Sequence, residues 1–289
     1  MKKIALMTDS NSGLTQDKGK ELGISVLPSP FIIDGQVLYE DIDLTQEEFY
    51  EKLESDVEVS TSQPSPEEVM KVWDELLQDA ETVLYIPLSS GLSGACQTAA
   101  MLAHDYEGRV QVVNNQRISV TQRHSLEDAM HMIEQGMEAV QIKEVLEKER
   151  FESTIYIMLD TLSYLKKGGR ITPAAAALGT ALRLKPVLQI QGEKLDKFTT
   201  ARTKKQGIAK MINAIREDLD QRFGGDVANV RMAVAYTKDR EPAEQFAKQV
   251  EEELGCKVEH IDPLSLTVSC HIGPGALAVA CSKKIPELM

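Results

Sequence analysis

Residues 83–103, VLYIPLSSGLSGACQTAAMLA, run from a branched-aliphatic stretch into a set of helix formers across the loop Ser89-Ser90-Gly91-Leu92-Ser93-Gly94. Val83 to Leu88 has the composition of a buried strand and Ala95 to Ala103 that of a helix. The junction therefore presents the free N–H groups and positive dipole end of a helix start, which in an open α/β protein is where a small anion is held. Ser93 is the natural donor to such an anion. It is equally placed to cap its own helix, as serine often does, and the segment alone leaves both readings open.

The same alternation extends in both directions. Ile4 to Thr8 reads as a strand ended by Asp9-Ser10, followed by a helix from Leu14 to Leu22 that Gly23 stops. Asp34-Gly35 marks a hairpin turn. Thr45 with Glu48, and Ser65 with Glu68, form capping boxes, the second with Pro66 at the first helical position. Thr61, Ser62 and Gln63 lie just before it in what reads as a polar loop with no capping duty, and so are free for a ligand. Further strands are expected at Val110 to Val113, Thr154 to Leu159, Pro186 to Ile190, Arg231 to Tyr236 and Lys257 to Ile261. Helices are expected at Gln122 to Gly136, Ile142 to Arg150, Lys204 to Phe223 and Glu241 to Leu254. Strands alternating with helices imply α/β architecture. The 289 residues, 42% apolar, suffice for two modest domains, and the boundary is placed near residue 150, giving 1–150 and 151–289.

Charge is polarised. The chain carries a formal −13, which argues against a nucleic-acid partner. Yet the segment 166–205 holds ten basic residues against two acidic ones, a local +8 suited to a docking surface or to transient contact with a membrane surface. The apolar run after Lys2-Lys3 is too short for a signal segment and no stretch reaches bilayer length, so a cytoplasmic location is expected. Cys96, Cys256, Cys270 and Cys281 have neither paired nor metal-type spacing and read as reduced core thiols.

The alanine-rich stretch Pro173 to Leu182 reads by default as a closely packed helix. Beside an anion site, however, small residues also border an apolar channel, for which Leu162, Leu165, Leu178 and Leu182 are candidate lining. Near the C-terminal end, His271 precedes a Gly273-Pro274-Gly275 turn; a lone histidine there is more often core than ligand.

Several chemistries are missing. Neither an ATP-cradling nor a dinucleotide glycine motif occurs. Gly91-Leu92-Ser93-Gly94-Ala95 approaches a hydrolase nucleophile elbow but lacks its final glycine. His124, Glu127, Asp128 and His131 share a helical face at metal-like spacing, but such a stripe is ordinarily solvated surface, and no metal is expected.

Taken in order, Thr8-Asp9-Ser10, Thr61-Ser62-Gln63-Pro64, the Ser89 to Gly94 loop with Gln97, Leu165-Lys166-Lys167-Gly168-Gly169-Arg170-Ile171, Lys185-Pro186, Arg202 and His271/Gly273-Pro274-Gly275 span the whole chain. The ordered set resembles the DegV family of bacterial fatty-acid-binding proteins, whose FakB-type members present fatty acids to a separate kinase. The resemblance implies two α/β domains, the first with a mostly parallel Rossmann-like sheet and the second mixed, with the acyl chain buried between or beneath them. It implies that Ser93 and Thr61 bind the fatty-acid carboxylate, assisted by Gly94 and Ser62, and that His271 approaches from the second domain. Arg170 would support this polar end, and Arg202 would belong to the surface that meets the fatty acid kinase. Catalysis would then lie in the partner, which makes an acyl phosphate for phospholipid synthesis, and this chain would need no cofactor beyond its bound long-chain fatty acid. Two departures bear on the local hydrogen bonds and chain preference: Asn114-Asn115 stands where the family usually has Asp-Ser, and Gly94-Ala95-Cys96 where Gly-Thr-Tyr is common.

Burial of a methylene is worth about 0.8 kcal/mol, so a long acyl tail supplies most of the affinity, about 10 kcal/mol before ordering costs. The buried carboxylate must still find donors. The competing readings are a serine hydrolase or acyltransferase acting on a lipid, and a lipid-sensing regulatory protein.

Overall fold

Thirteen strands among the described residues assort into three sheets. The structure is a computed structural model and describes residues 2–55, 57–169, 172–176, 184–192 and 194–285. The strands are β1 (Lys2–Asp9), β2 (Ile24–Leu27), β3 (Pro30–Ile33), β4 (Gln36–Tyr39), β5 (Val59–Thr61), β6 (Ala80–Ile86), β7 (Val110–Val112), β8 (Ser153–Met158), β9 (Lys185–Ile190), β10 (Leu195–Ala201), β11 (Val230–Tyr236), β12 (Val258–Pro263) and β13 (Leu277–Lys283). The first sheet, ordered β2-β1-β6-β7, is wholly parallel. The second, β10-β9-β8-β13-β11-β12, is antiparallel except for its β11–β12 edge. A small antiparallel sheet, β4-β3-β5, is hydrogen-bonded to neither. The fold is therefore α/β, with one parallel and one mixed sheet.

In the first sheet, β1 and β6 run side by side with Thr8 opposite Ile86, so the loops that follow Asp9 and Ile86 leave from the same carboxyl edge. That edge is where crevices form in open α/β sheets. The Asp34-Gly35 hairpin joins β3 to β4, both residues taking positive φ. The two capping boxes form at Thr45/Glu48 and Ser65/Glu68 as their spacing predicts.

Four expectations are corrected. The first helix begins at Gln16, because the Thr15 hydroxyl accepts the Lys18 N–H and leaves Leu14 outside it as a buried residue. Thr61 is not in a loop: it ends β5, opposite Phe31 of β3, a strand too short to show a period. The helix expected from Gln122 starts at Ser119, whose φ of +54° lies in the left-handed region. The His124 stripe is not a solvated face, since His124 is fully buried, Asp128 is buried and only His131 of the two histidines is exposed. All four cysteines are free thiols, three of them buried. No helix among the described residues is long and apolar enough to cross a membrane.

Candidate binding cavity

A cleft with about 1070 Å³ of atom-free space, its open mouth included, lies where the three sheets meet. Its floor is one face of the second sheet. Period-two alternation sends Met232, Val234, Leu277, Val279 and Cys281 into a core on the opposite face, packed with Met211, Ile215 and Phe246 of the covering helices. The cleft face carries the intervening residues, and these are small: Ala233 pairs with Ala280, and Ala235 with Ala278, across the β11–β13 ladder. Ile155 and Ile157 of β8 stand opposite Ala280 and Ala278. Of these alanines, Ala235 and Ala278 line the cleft, and their small side chains in register leave a hollow that branched residues would fill, walled by Ile155, Ile157, Ile190 and Leu195.

The polar lining comes from a strand end, a helix and the loops at the sheet ends. His271 Nε2 lies 2.9 Å from Thr61 Oγ1. Three features bring them together. Thr61 is held by the β3–β5 pairing. The helix Leu266–Ile272 is capped by Ser265 and tied at its start by the Leu266 N–H, which donates to Glu40 at 2.9 Å. Gly168 lies so close to the imidazole that a Cβ there would overlap the ring. Glu40 is buried, and desolvation pushes its carboxyl up to about 8 against the N–H donors that favour its charge.

Ser93 stands at the junction of the cavity and the helix start. It lines the cavity, and its Oγ accepts the Ala95 N–H at 3.2 Å, one residue ahead of the Gly94 N-cap. The loop before it is closed by Leu92 and Ser93 N–H donors to the Ser89 carbonyl. Asp9 fixes the base of this loop by accepting the Leu88 N–H at 2.7 Å, together with the Asn11 N–H and Gln122 Nε2. Burial nonetheless raises the Asp9 carboxyl above the ordinary aspartate range.

Of the residues singled out in the sequence, Thr61, Ser62, Ser93, His271 and Leu165 all line this one cavity. Gly94 is exposed at the helix cap, where a Cβ would come within 3.0 Å of the Gln63 side chain. Leu162 is buried in the core adjoining Leu165 and does not line the cavity. Arg202 is exposed and outside it. Arg170, Leu178 and Leu182 lie outside the described residues.

Other lining residues escaped the sequence reading. Asn11 and Thr267 are joined by a 2.8 Å hydrogen bond that ties the first sheet's edge to the His271 helix. Ser119 lines the cavity at the helix start, its buried Oγ lacking a partner among the described residues. Ala235 and Ala278, each alternating with larger residues along its strand, were a legible signal, because alternate strand residues share one face.

The arrangement has a bearing on nucleophilic chemistry. A serine nucleophile needs a base within hydrogen-bond reach. Here Thr61 Oγ1 lies 2.9 Å from the imidazole, and the Ser93 hydroxyl accepts a backbone N–H at 3.2 Å.

A family model described as an uncharacterised protein, DegV family, matches residues 3–284. A DegV domain-containing protein of Deinococcus radiodurans is 30% identical over 279 residues, covering 96% of this chain and 97% of its own length. Among solved structures, a fatty-acid-binding DegV family protein from Thermus thermophilus aligns with a TM-score of 0.88 at 30% identity, covering 98% of this chain and all of that one. A stearic-acid-binding protein from Eubacterium ventriosum aligns with a TM-score of 0.89 over 98% of this chain and 99% of its own, and at 22% identity this likeness speaks to the fold alone.

Proposed function

The chain belongs to the DegV family, and from that premise we propose that it binds one long-chain fatty acid in the cleft, carboxylate toward Thr61, Ser93 and His271 and tail along the alanine-lined floor. The observation that carries this reading is a single cavity with an apolar floor and a hydroxyl–imidazole pair in its wall. Ser62 and Gly94 assist at the head group. Residues 1–150 supply Thr61, Ser62 and Ser93 at the head group, while 151–289 supply His271 and much of the acyl wall. Every methylene laid on the floor contributes about 0.8 kcal/mol, and the polar groups fix which end of the chain faces the mouth.

A carboxylate held at a loop edge is a group that a second protein can reach. The chain is a carrier whose bound acid is phosphorylated by a partner fatty acid kinase, the acyl phosphate then entering phospholipid synthesis. Exposed Arg202 and its basic neighbours Lys194, Lys197 and Lys205 form the docking surface. The test is reconstitution with a fatty acid kinase and ATP, reading acyl phosphate and lipid occupancy on one preparation. Arg202→Glu is expected to keep its lipid and lose phosphorylation, more so at low salt. Normal phosphorylation of that variant, or loss only in step with lost lipid, would remove Arg202 from the docking surface.

A further inference from the structure

Where the helix Ser119–Glu134 packs on β11 and β13, its buried side chains meet a second chemical cluster. His124 is fully buried; its Nδ1 lies 3.0 Å from Ser282 Oγ on β13, and its Nε2 has no hydrogen-bond partner among the described residues. His260 on β12 has its Nε2 held 3.0 Å from the Glu127 carboxylate. Adjacent strand residues ordinarily face opposite ways. Here the β11–β12 register slips, Met232 pairing with Val258 and Ala233 with His260, so Glu259 is an additional residue of the kind that bulges out and re-aims a side chain. One ligand atom from each of His124, Glu259 and His260 lies within 4.8 Å of the others.

We propose that His124, Glu259 and His260 form a binding site for a divalent transition-metal ion of zinc's chemical class. Two imidazoles and a carboxylate are a ligand set that zinc takes, and three protein ligands leave a position for water on the exposed Glu259 side. Each histidine has one ring nitrogen engaged by an oxygen, of Ser282 or of Glu127, which leaves the other for the ion and fixes the ring's orientation. Arg231, the neighbouring cation, is matched by Glu127, Asp128 and Glu259; it contacts Glu259 through Oε2 and leaves Oε1 for the metal. Leu126, Ala129 and Met132 of the same helix pack in the first sheet's core, so an ion held here ties that core to the edge of the second sheet.

The full-length protein, freed of metal with a chelator that is then removed, is titrated with zinc chloride alone by calorimetry and by thermal melting. One ion per chain is expected, with a melting temperature that rises with zinc concentration. Glu259→Gln and His260→Ala are expected to weaken binding by about tenfold or more, and His131→Ala, on the exposed part of the helix, to leave it unchanged. If His260→Ala does not fold, Glu259→Gln carries the test. Absence of stoichiometric zinc binding by the wild-type chain overturns the proposal, as does binding that survives Glu259→Gln intact or is lost with His131→Ala.

Discussion

His271 Nε2 and Thr61 Oγ1 lie 2.9 Å apart although 210 positions separate them in the chain. Thr61 ends a strand of the small sheet and His271 ends a helix leading into β13, so the contact ties two separately folded elements at the cavity wall. The imidazole reaches it over Gly168, where any Cβ would overlap the ring.

Thr61→Ala and Gly168→Ala should therefore impair the head-group site by different routes, one removing a hydroxyl and the other displacing the imidazole. A hydrogen bond to a charged group is worth about 1.5 to 3 kcal/mol, so each variant should bind fatty acid about ten- to a hundredfold more weakly. Titration with a fluorescent fatty acid, alongside circular dichroism, reads both affinity and fold. Unchanged affinity in both folded variants would contradict the assignment.

The alanine floor gives an opposite kind of test. Ala235→Leu fills the hollow that Ala235 and Ala278 share, displacing the acyl chain without uncovering any core surface. Each methylene denied its place costs about 0.8 kcal/mol of binding, so lipid occupancy should fall at least about tenfold while the melting temperature holds or rises. A variant that retains its lipid would move the tail elsewhere.

Glu40 makes stability depend on pH. In the folded chain its carboxyl titrates at about 8, against an ordinary 4.5, so across that window the folded state keeps a proton that the unfolded state has released. Its contribution is fully present below about 4.5 and is lost as the pH rises toward 8. Glu40→Gln keeps an oxygen for the Leu266 N–H without the titration. The variant should gain stability over wild type as pH rises through this window, by up to a few kcal/mol, in urea melts at successive pH values. Parallel pH profiles for the two proteins would contradict this.

Ser119 holds φ at +54°, a conformation that costs a residue with a Cβ about 1 kcal/mol or more. Ser119→Gly should relieve that cost and remove a buried hydroxyl without a partner, raising the unfolding free energy by about 1 kcal/mol. A lower denaturant midpoint would show that the hydroxyl contributes more than the backbone costs.

The α/β class was legible because strand and helix periods alternate cleanly from Ile4 onward, and the loop at Ser89–Gly94 falls where a strand's carboxyl end meets a helix start. Thr61, Ser93 and His271 were legible as residue types in suggestive places. Their convergence in one cavity was not, because it depends on a three-residue strand and on contacts across more than two hundred positions. The central strand β13 was not legible, since a strand covered on both faces shows little polar alternation. Ser119 escaped because its conformation answers to the packing around it rather than to serine's own preference.

The most direct measurement is mass spectrometry of what organic solvent extracts from the purified, folded protein. Predicted is a long-chain fatty acid near one molecule per chain, depleted in Ala235→Leu and in Thr61→Ala. A well-folded preparation that yields only water or a polar metabolite, and that takes up no added fatty acid, would contradict the account.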